Sequence, residues 1–380
     1  NIINYKIIEG LRVSIDGKFS PNNLQLIYNN VPSNHESIED WCKTIFHQKK
    51  FAIIQNGCQH LDLELKKNIA ILFAPLIENF GITHQGLEVT LFFGNYGYTP
   101  LGFHRDPEGN KVTHLHLGPG RKDIYTIPPK VYEEELSAIT HKINGFKNVE
   151  LLLPYADKYS FNQGDVFFMP ENLYHLGDTP ELSMGLAVWH LETNTLDYKN
   201  KITQLLSRKL FKQSIKSAPI KKDRNKIENI SSILEPMNSI INIDALYGDV
   251  NLENCLSYLI KEERYKLFSN SYFYNFLIGN QLLIESSKPA VNWDQNIRGI
   301  YPFVIYKDKL NEASVLFIQG RIFVIPELDD FEYSIDLLNS YRILTVRDVF
   351  GTLRDKYEDE LVLYFATKIY ELNGYESVLV

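Results

Sequence analysis

The sequence predicts an α+β protein whose central part is an antiparallel barrel or jelly roll, and three observations support this. Short apolar runs separated by Gly and Pro turns fill residues 87–191, which is a pattern typical of all-β sandwiches and barrels. The residues before them carry apolar positions at helical spacing, and the pattern becomes helical again after residue 191. We therefore expect a barrel with flanking helices, followed by a largely helical C-terminal region.

The N-terminal residues 1–86 are expected to flank the barrel. Their apolar and β-branched runs indicate strands, and their longer amphipathic runs indicate helices. Strands are expected over 5–15 and 51–55, and helices over 35–48, after an N-cap at Asn34, and over 61–80.

Six apolar runs between residues 87 and 195 predict the strands of the barrel domain. Turns such as the GPG at 118–120 separate them. One helix, over 131–143, is expected to interrupt them. The predicted strands are EVTLFFGNY, KVTHLHL, KDIYTIPP, VELLLP, DVFFMP and MGLAVWHL.

The C-terminal half divides into two predicted regions, 196–290 and 291–380. The first is expected to be helical, with a basic stretch at 208–226 that is typical of a solvated helical linker. The second has the order of elements of a winged-helix-like domain. Its apolar faces need a partner surface, so we expect this half to form a homodimer or to dock a substrate. Helices are expected over 251–268, 329–339, 345–356 and 358–373, and strands at SVLFIQGRIFVIP and ESVLV.

Composition excludes several classes of protein. The net charge of −8 implies no general affinity for nucleic acid. No apolar run approaches the roughly 20 residues needed to span a bilayer, so no membrane segment is expected. Cys42, Cys58 and Cys255 are scattered and form no CxxC motif, which argues against a disulfide framework or a structural zinc site. A reducing cytoplasm is the compartment that fits best.

The first candidate for chemistry is the run His104-Arg105-Asp106. On a strand, residues i and i+2 face the same way, so His104 and Asp106 share a face. An isolated HxD pair occurs by chance in many proteins. As a metal site it is incomplete, because an imidazole and one carboxylate leave a divalent ion partly coordinated and a third ligand must come from another strand.

His175 supplies that third ligand in our interpretation. It ends the run GDVFFMPENLYH, about 70 residues after the HxD pair. Two histidines and one carboxylate bind one triangular face of a metal and leave three positions open, as in non-haem Fe(II) oxygenases. The sequence therefore predicts a metal site made of His104, Asp106 and His175.

At these residues the sequence resembles a known family. The runs NYGYTPLGFHRD and GPGRKDIYTIPP, between Asn95 and Pro129, are similar to the core of JmjC-type, cupin-fold 2-oxoglutarate oxygenases. The hydroxylase branch, with its asparaginyl hydroxylases and ribosomal oxygenases, is the most similar. GDVFFMPENLYH matches the segment that delivers the family's last metal ligand. The resemblance covers about 95–190 and implies a double-stranded β-helix barrel.

The resemblance also implies contacts to the co-substrate, 2-oxoglutarate. Lys122, six residues before Pro128-Pro129, matches the lysine that anchors its distal carboxylate, and a buried dicarboxylate does need such a cation. Arg121 is the rival, although it should face the other side of the strand. Thr99 matches a threonine that hydrogen-bonds the co-substrate, and Thr113 lies where the family often has an asparagine.

Two departures from the family pattern stand beside these matches. Gly102 and Phe103 are extra residues between the Thr-Pro at 99–100 and His104. The loop Pro107–Lys111 is about three residues longer than in the asparaginyl hydroxylases, and it should shape substrate entry.

The expected function is oxygenation dependent on Fe(II), 2-oxoglutarate and O2, with a peptide or protein side chain as the hydroxylated substrate. Two alternatives remain open. One is a metal-dependent cupin enzyme that does not use 2-oxoglutarate, and the other is a non-catalytic barrel that serves as an interaction module. His114 and His116 could suggest a second metal, but without a carboxylate at matching spacing they are interpreted as packing or surface histidines.

Overall fold

A computed structural model describes most of the chain as an α+β protein with antiparallel sheets. It forms two compact units: Asn1–Glu192 with Tyr272–Glu285, and Thr193–Ser271 with Ser286–Val380. The predicted strand positions 5–9 and the basic stretch 208–226 lie outside the described residues, and the four-part division of the chain stays a prediction. The described residues are 10–33, 36–83, 85–191, 199–200, 203, 252–274, 288–310 and 313–379.

The larger sheet of the first unit has seven strands in the order β10-β7-β12-β4-β3-β1-β2. Strand β12 pairs with β4 on one side and with β7 on the other, both antiparallel. The strands are β1 (Leu11–Ile15), β2 (Lys18–Phe19), β3 (Phe51–Gln55), β4 (Leu87–Gly94), β7 (Lys111–Pro119), β10 (Val166–Met169) and β12 (Ser183–His190).

The smaller sheet of this unit has the order β5-β11-β8-β9, and a short strand β6 also pairs with β11. Three of its strands, β5, β9 and β11, were not predicted from the sequence, whereas β6 contains the first two residues of the His104-Arg105-Asp106 run that was interpreted as a strand. The strands are β5 (Gly97–Tyr98), β6 (His104–Arg105), β8 (Lys122–Ile127), β9 (Asp157–Phe161) and β11 (Tyr174–Thr179).

Helices cover the outer face of the larger sheet. Helix α3 buries Ile69 and Phe73 against Val89 and Val188 of β4 and β12. Because strand residues alternate, the neighbours of these valines, such as Thr90, face the opposite side of the sheet. The helices of this unit are α1 (Pro21–Asn29), α2 (Ile38–Phe46), α3 (Leu63–Phe80) and α4 (Ser137–Thr140).

Three sequence predictions in the first unit are corrected. Helix α2 begins at Ile38 because the Ser37 side chain accepts from Asp40 N and caps it. The run VELLLP forms two 3₁₀ turns, Val149–Leu151 and Leu153–Tyr155, since its buried residues recur at helical rather than alternating spacing. The helix expected over 131–143 is instead a π-helical turn, Val131–Glu135, followed by α4.

The second unit packs helices against two three-stranded sheets. The run SVLFIQGRIFVIP is a hairpin rather than one strand, because Gln319 and Gly320 both have positive φ, 47° and 78°, and make a two-residue turn. The winged-helix arrangement stays a prediction. The elements are α5 (Leu252–Ser269), β13 (Asn296–Gly299), β14 (Tyr306–Leu310), β15 (Ala313–Ile318), β16 (Arg321–Ile325), α6 (Leu328–Asn339), β17 (Leu344–Thr345), α7 (Val346–Phe350), α8 (Asp359–Glu371) and β18 (Tyr375–Ser377).

A search of the described residues found no helix that is both long and apolar enough to cross a membrane.

Candidate metal centre

The three predicted ligands meet where β6 lies beside β11. His104 pairs directly with His175 across the two strands, and Asp106 follows β6 on the same side as His104. One potential ligand atom from each of the three residues lies within 4.8 Å of the other two. The two imidazole ring centroids are 4.2 Å apart. This is the only cluster of at least three His, Cys, Asp or Glu ligands that the described part of the chain contains.

Each histidine has one ring nitrogen within hydrogen-bond distance of the backbone carbonyl two residues before it. Nδ1 of His104 lies 2.9 Å from Gly102 O, and Nδ1 of His175 lies 3.3 Å from Leu173 O. A carbonyl oxygen can only accept, so Nδ1 carries the hydrogen and Nε2 keeps its lone pair. This orientation is the one that metal-binding histidines need.

Asp106 brings a buried carboxylate oxygen to the site. Oδ2 is buried and has no hydrogen-bond partner there, and it lies 3.8 Å from Nε2 of His175. Burial raises the pKa of Asp106 to about 6. A buried carboxylate is unfavourable without a counter-charge, so this oxygen fits the donor set of a divalent cation.

The two histidines are poised as neutral ligands. Burial, followed by the neighbouring His175, lowers the pKa of His104 to about 4. Burial also lowers the pKa of His175 to about 4. Both rings are therefore unprotonated near pH 7, and a metal would not have to displace a proton from either of them.

Asn144 clamps the residue between the two first ligands. Its Oδ1 accepts from Arg105 N at 2.7 Å, and its Nδ2 donates to Arg105 O at 3.1 Å. Next to it, Phe146 O accepts from Phe103 N at 3.0 Å. A Cβ on Gly102 would lie 2.3 Å from Phe146 O, so glycine is needed there. Gly102 and Phe103, which lie between the Thr-Pro at 99–100 and His104, thus form a pairing with the segment at Phe146. This pairing holds the chain that leads into β6.

A cavity of about 450 Å³ opens beside the three ligands. Lys122 reaches into it and is 7% exposed, with Nζ 5.1 Å from the centroid of the Phe92 ring. The rival residue Arg121 is on the surface, where it donates to Asp123 at 3.1 Å. The structure therefore brings Lys122, and not Arg121, to the ligands.

The two predicted threonine contacts separate in the structure. Thr99 lines the cavity. Thr113 does not, since it lies on the other face of β7, where its Oγ1 is 3.3 Å from Nε2 of His190. The strand alternates, so its neighbour His114 takes the inward position.

Sequence reasoning missed several cavity residues. His114 had been interpreted as a packing or surface residue, and Asn110 in the long loop was not considered. A polar wall on the larger sheet was also missed: Trp189 Nε1 donates to Thr90 Oγ1 at 3.1 Å, and Arg12 donates to Asn56 Oδ1 at 3.3 Å. Only the strand alternation of β4 and β7 could have indicated these positions, once it was known which face is covered by helix.

Comparisons with known proteins were made on sequence and on structure. No family model matches the chain, and no curated protein matches it either. Among solved structures it is similar to YcfD, a ribosomal oxygenase from Escherichia coli, at 12% identity and a TM-score of 0.46, over 97% of this chain and 86% of that one. YcfD in complex with cobalt and 2-oxoglutarate matches at 14% identity and a TM-score of 0.45, over 97% and 85% of the two chains.

A cupin superfamily protein from Desulfitobacterium hafniense is similar over a shorter stretch, 28% of this chain and 69% of that one, at 12% identity and a TM-score of 0.18. Ribosomal oxygenases are thus among the solved structures to which the chain is similar.

Proposed function

We propose that the protein is an oxygenase that depends on a divalent metal, Fe(II), and on 2-oxoglutarate. The observation that carries this proposal is the joint presence, in one cavity, of three convergent metal-ligand side chains and a buried lysine. A metal site alone would fit many enzymes. The lysine adds a requirement for an anion, and 2-oxoglutarate is an anion that also chelates a metal.

His104, Asp106 and His175 would hold the metal. When bound, Fe(II) supplies the activation of O2 that no amino-acid side chain can provide. The protein's own contribution is to keep both Nε2 lone pairs and the Asp106 carboxylate directed at one point. Three protein ligands leave open positions for the co-substrate.

Lys122 would hold the far carboxylate of 2-oxoglutarate. No acidic side chain among the described residues forms an ion pair with its ammonium group, although the side chain is buried. A carboxylate brought beside this ammonium group would accept a charge-assisted hydrogen bond, which would offset the cost of taking the anion out of water. Thr99 lies in the same cavity and offers a hydroxyl to the same ligand.

For the prime substrate we propose a C–H bond on an amino-acid side chain of a peptide or protein, with release of succinate and CO2. The support is the resemblance of 95–190 to the hydroxylase branch of the family. The long loop Pro107–Lys111 contributes Pro107 and Asn110 to the cavity, so it is placed to contact a substrate. We also propose a jelly-roll arrangement of the two sheets, a winged-helix-like C-terminal domain, a homodimer and a cytoplasmic location.

The two alternatives make different demands on the site. A cupin enzyme without 2-oxoglutarate often uses three or four ligands dominated by histidine, but His114 is not part of the ligand cluster, and such an enzyme would have no use for Lys122. A non-catalytic barrel has no need of three convergent ligands, which are unfavourable for folding by themselves.

An anaerobic titration tests the proposal. Fe(II) and then 2-oxoglutarate are added to the wild type, to Lys122→Ala and to the neighbouring surface control Arg121→Ala, and the visible spectrum is followed. We expect a metal-to-ligand charge-transfer band in the wild type and in Arg121→Ala, and a band that needs at least about tenfold more 2-oxoglutarate in Lys122→Ala, because a charge-assisted hydrogen bond is lost. If metal binds but no band appears in the wild type, the cupin alternative replaces the proposal.

A further inference from the structure

The two histidines of β7 that the sequence pairs as HLH have different surroundings. His116 Nε2 lies 2.8 Å from Gly120 O and ties down the turn that leads into β8. His114 lies on the same face of the strand and lines the cavity. Its Nε2 is buried and has no hydrogen-bond partner in the described part of the chain. Nδ1 of His116 is also buried without a hydrogen-bond partner among the described residues, but His116 does not line the cavity, whereas His114 does.

His114 is placed next to the groups that bind the co-substrate in the proposed function. Lys122 and His175 line the same cavity as His114, and burial, followed by the charge of Lys122, lowers the pKa of the His114 ring. Its neighbours across the strand pairings are Ala187 of β12 and Phe167 of β10, and the Phe167 ring centroid lies 6.4 Å from that of His114.

His114 is not itself a metal ligand in this arrangement. The cluster of convergent ligand atoms in the described chain contains only the other three residues. Its low pKa keeps the ring neutral near pH 7, so it offers one N–H and one lone pair. A neutral ring can adopt either tautomer, and Nε2 carries the hydrogen when an oxygen acceptor lies against it.

We propose that His114 is a second binding residue for 2-oxoglutarate, which donates a hydrogen bond from Nε2 to a carboxylate oxygen of that ligand. This inference rests on the proposed function. A buried ring nitrogen without a partner is unfavourable for folding, and a carboxylate drawn in by Lys122 would satisfy it. Lys122 and His114 would then provide a charged donor and a neutral donor to the same anion.

Two substitutions at His114 separate a specific hydrogen bond from general packing. In His114→Gln the side-chain amide nitrogen can reach the position of Nε2, whereas in His114→Asn the shorter side chain places it near Nδ1. Both residues are polar and smaller than or similar to histidine. Thr113→Val is the matched control, because it is adjacent, nearly isosteric and on the face of β7 away from the cavity.

The measurement is calorimetric titration of 2-oxoglutarate into the Mn(II)-loaded full-length protein, with Mn(II) affinity measured separately. We expect the Kd for 2-oxoglutarate to rise about tenfold or more in His114→Asn, and to stay within about threefold of wild type in His114→Gln, as expected for one hydrogen bond to a charged group. Thr113→Val should bind like the wild type, and the Kd for Mn(II) should stay within about twofold in every variant.

The inference is overturned if His114→Asn binds 2-oxoglutarate as tightly as His114→Gln, or if both bind like the wild type. Its failure differs from failure of the proposed function. If Lys122→Ala loses 2-oxoglutarate and His114→Asn does not, only the role of His114 falls. If the Mn(II)-loaded wild type does not bind 2-oxoglutarate at all, the proposed function falls and this inference falls with it.

Discussion

The apolar core of the second unit and the cavity of the first unit differ in how their polar groups are paired. In the second unit a continuous apolar core surrounds Phe331 and Phe350, and the buried hydroxyls near it are paired: Ser334 donates to Val349 O at 2.8 Å and Tyr375 donates to Ala366 O at 2.9 Å. In the first unit, Oδ2 of Asp106 and Nε2 of His114 are buried without partners in the described protein.

This difference shows which region contains polar atoms that destabilise the folded protein. Each unpaired buried polar atom destabilises a protein by about 1–3 kcal/mol, and Ser334 and Tyr375 of the second unit avoid that cost. In the first unit two such atoms line one cavity. Substitutions in the cavity of the first unit should therefore mainly change ligand binding. Substitutions in the core of the second unit should mainly change the free energy of unfolding.

Removal of a metal ligand should give the largest effect. In Asp106→Ala we expect metal affinity to fall by more than about 100-fold and succinate release to be abolished, since one of three protein ligands is lost. Asp157→Ala, an exposed aspartate of the same sheet, is the control. Near-normal succinate production by Asp106→Ala would contradict the assignment of the three ligands.

Removal of a core side chain from the second unit should give the reverse pattern. Phe331 is fully buried, and its ring centroid lies 5.2 Å from that of Phe365. Phe331→Ala should lower the free energy of unfolding by about 3–5 kcal/mol, while the folded variant keeps its metal affinity. Tyr333→Ala, an exposed position of the same helix, should change stability by less than about 0.5 kcal/mol. Denaturant unfolding and metal titration of the same samples test both; a loss of metal affinity in Phe331→Ala would break the contrast.

Two of the three candidate ligands are related locally in the sequence. His104 and Asp106 share a face by strand alternation, whereas His175 was proposed as the third ligand from the run GDVFFMPENLYH, about 70 residues later. The strand that carries His175 was not predicted, since YHLGDT contains Gly and Asp, which are rare in strands. Its conformation comes from pairing with β8 and β6, which are distant in sequence.

The choice between Thr113 and His114 could not be made from sequence. A shift of one residue exchanges the two faces of a strand, so family alignment across a loop of different length selected the wrong neighbour for the cavity. The clamp by Asn144 was out of reach for a similar reason, because it lies 39 residues from Arg105 along the chain and no local pattern links them.

Asn144 tests whether the site's geometry depends on this clamp. Asn144→Ala removes both hydrogen bonds to the Arg105 backbone, so β6 should hold its two ligands less firmly. We expect metal affinity to fall by about tenfold, the effect of losing a modest amount of hydrogen-bond energy, with little change in the unfolding midpoint. Asn148→Ala in the same exposed segment is the control. Equal metal affinity in the two variants would show that pairing with β11 alone positions the ligands.

The smallest expected effect concerns pH, and it arises from the raised pKa of Asp106, about 6. An unfolded aspartate has a pKa of about 3.9, so the folded, metal-free protein binds this proton more tightly than the unfolded chain does. The stabilising contribution of the proton is fully present below about pH 4 and is lost as pH rises through 6. Between pH 7 and pH 5 the metal-free wild type should therefore gain about 1 kcal/mol relative to Asp106→Asn, which cannot titrate.

Over the same interval the metal must displace that proton, so metal affinity should fall about tenfold per pH unit below pH 6. The histidines titrate near pH 4 and should contribute only below that range. Thermal unfolding of both metal-free proteins and metal titrations at pH 7 and pH 5 measure the two trends. A stability difference between wild type and Asp106→Asn that is the same at both pH values would show that Asp106 is not held at a folding cost, and the contrast between the two interiors would then rest on His114 alone.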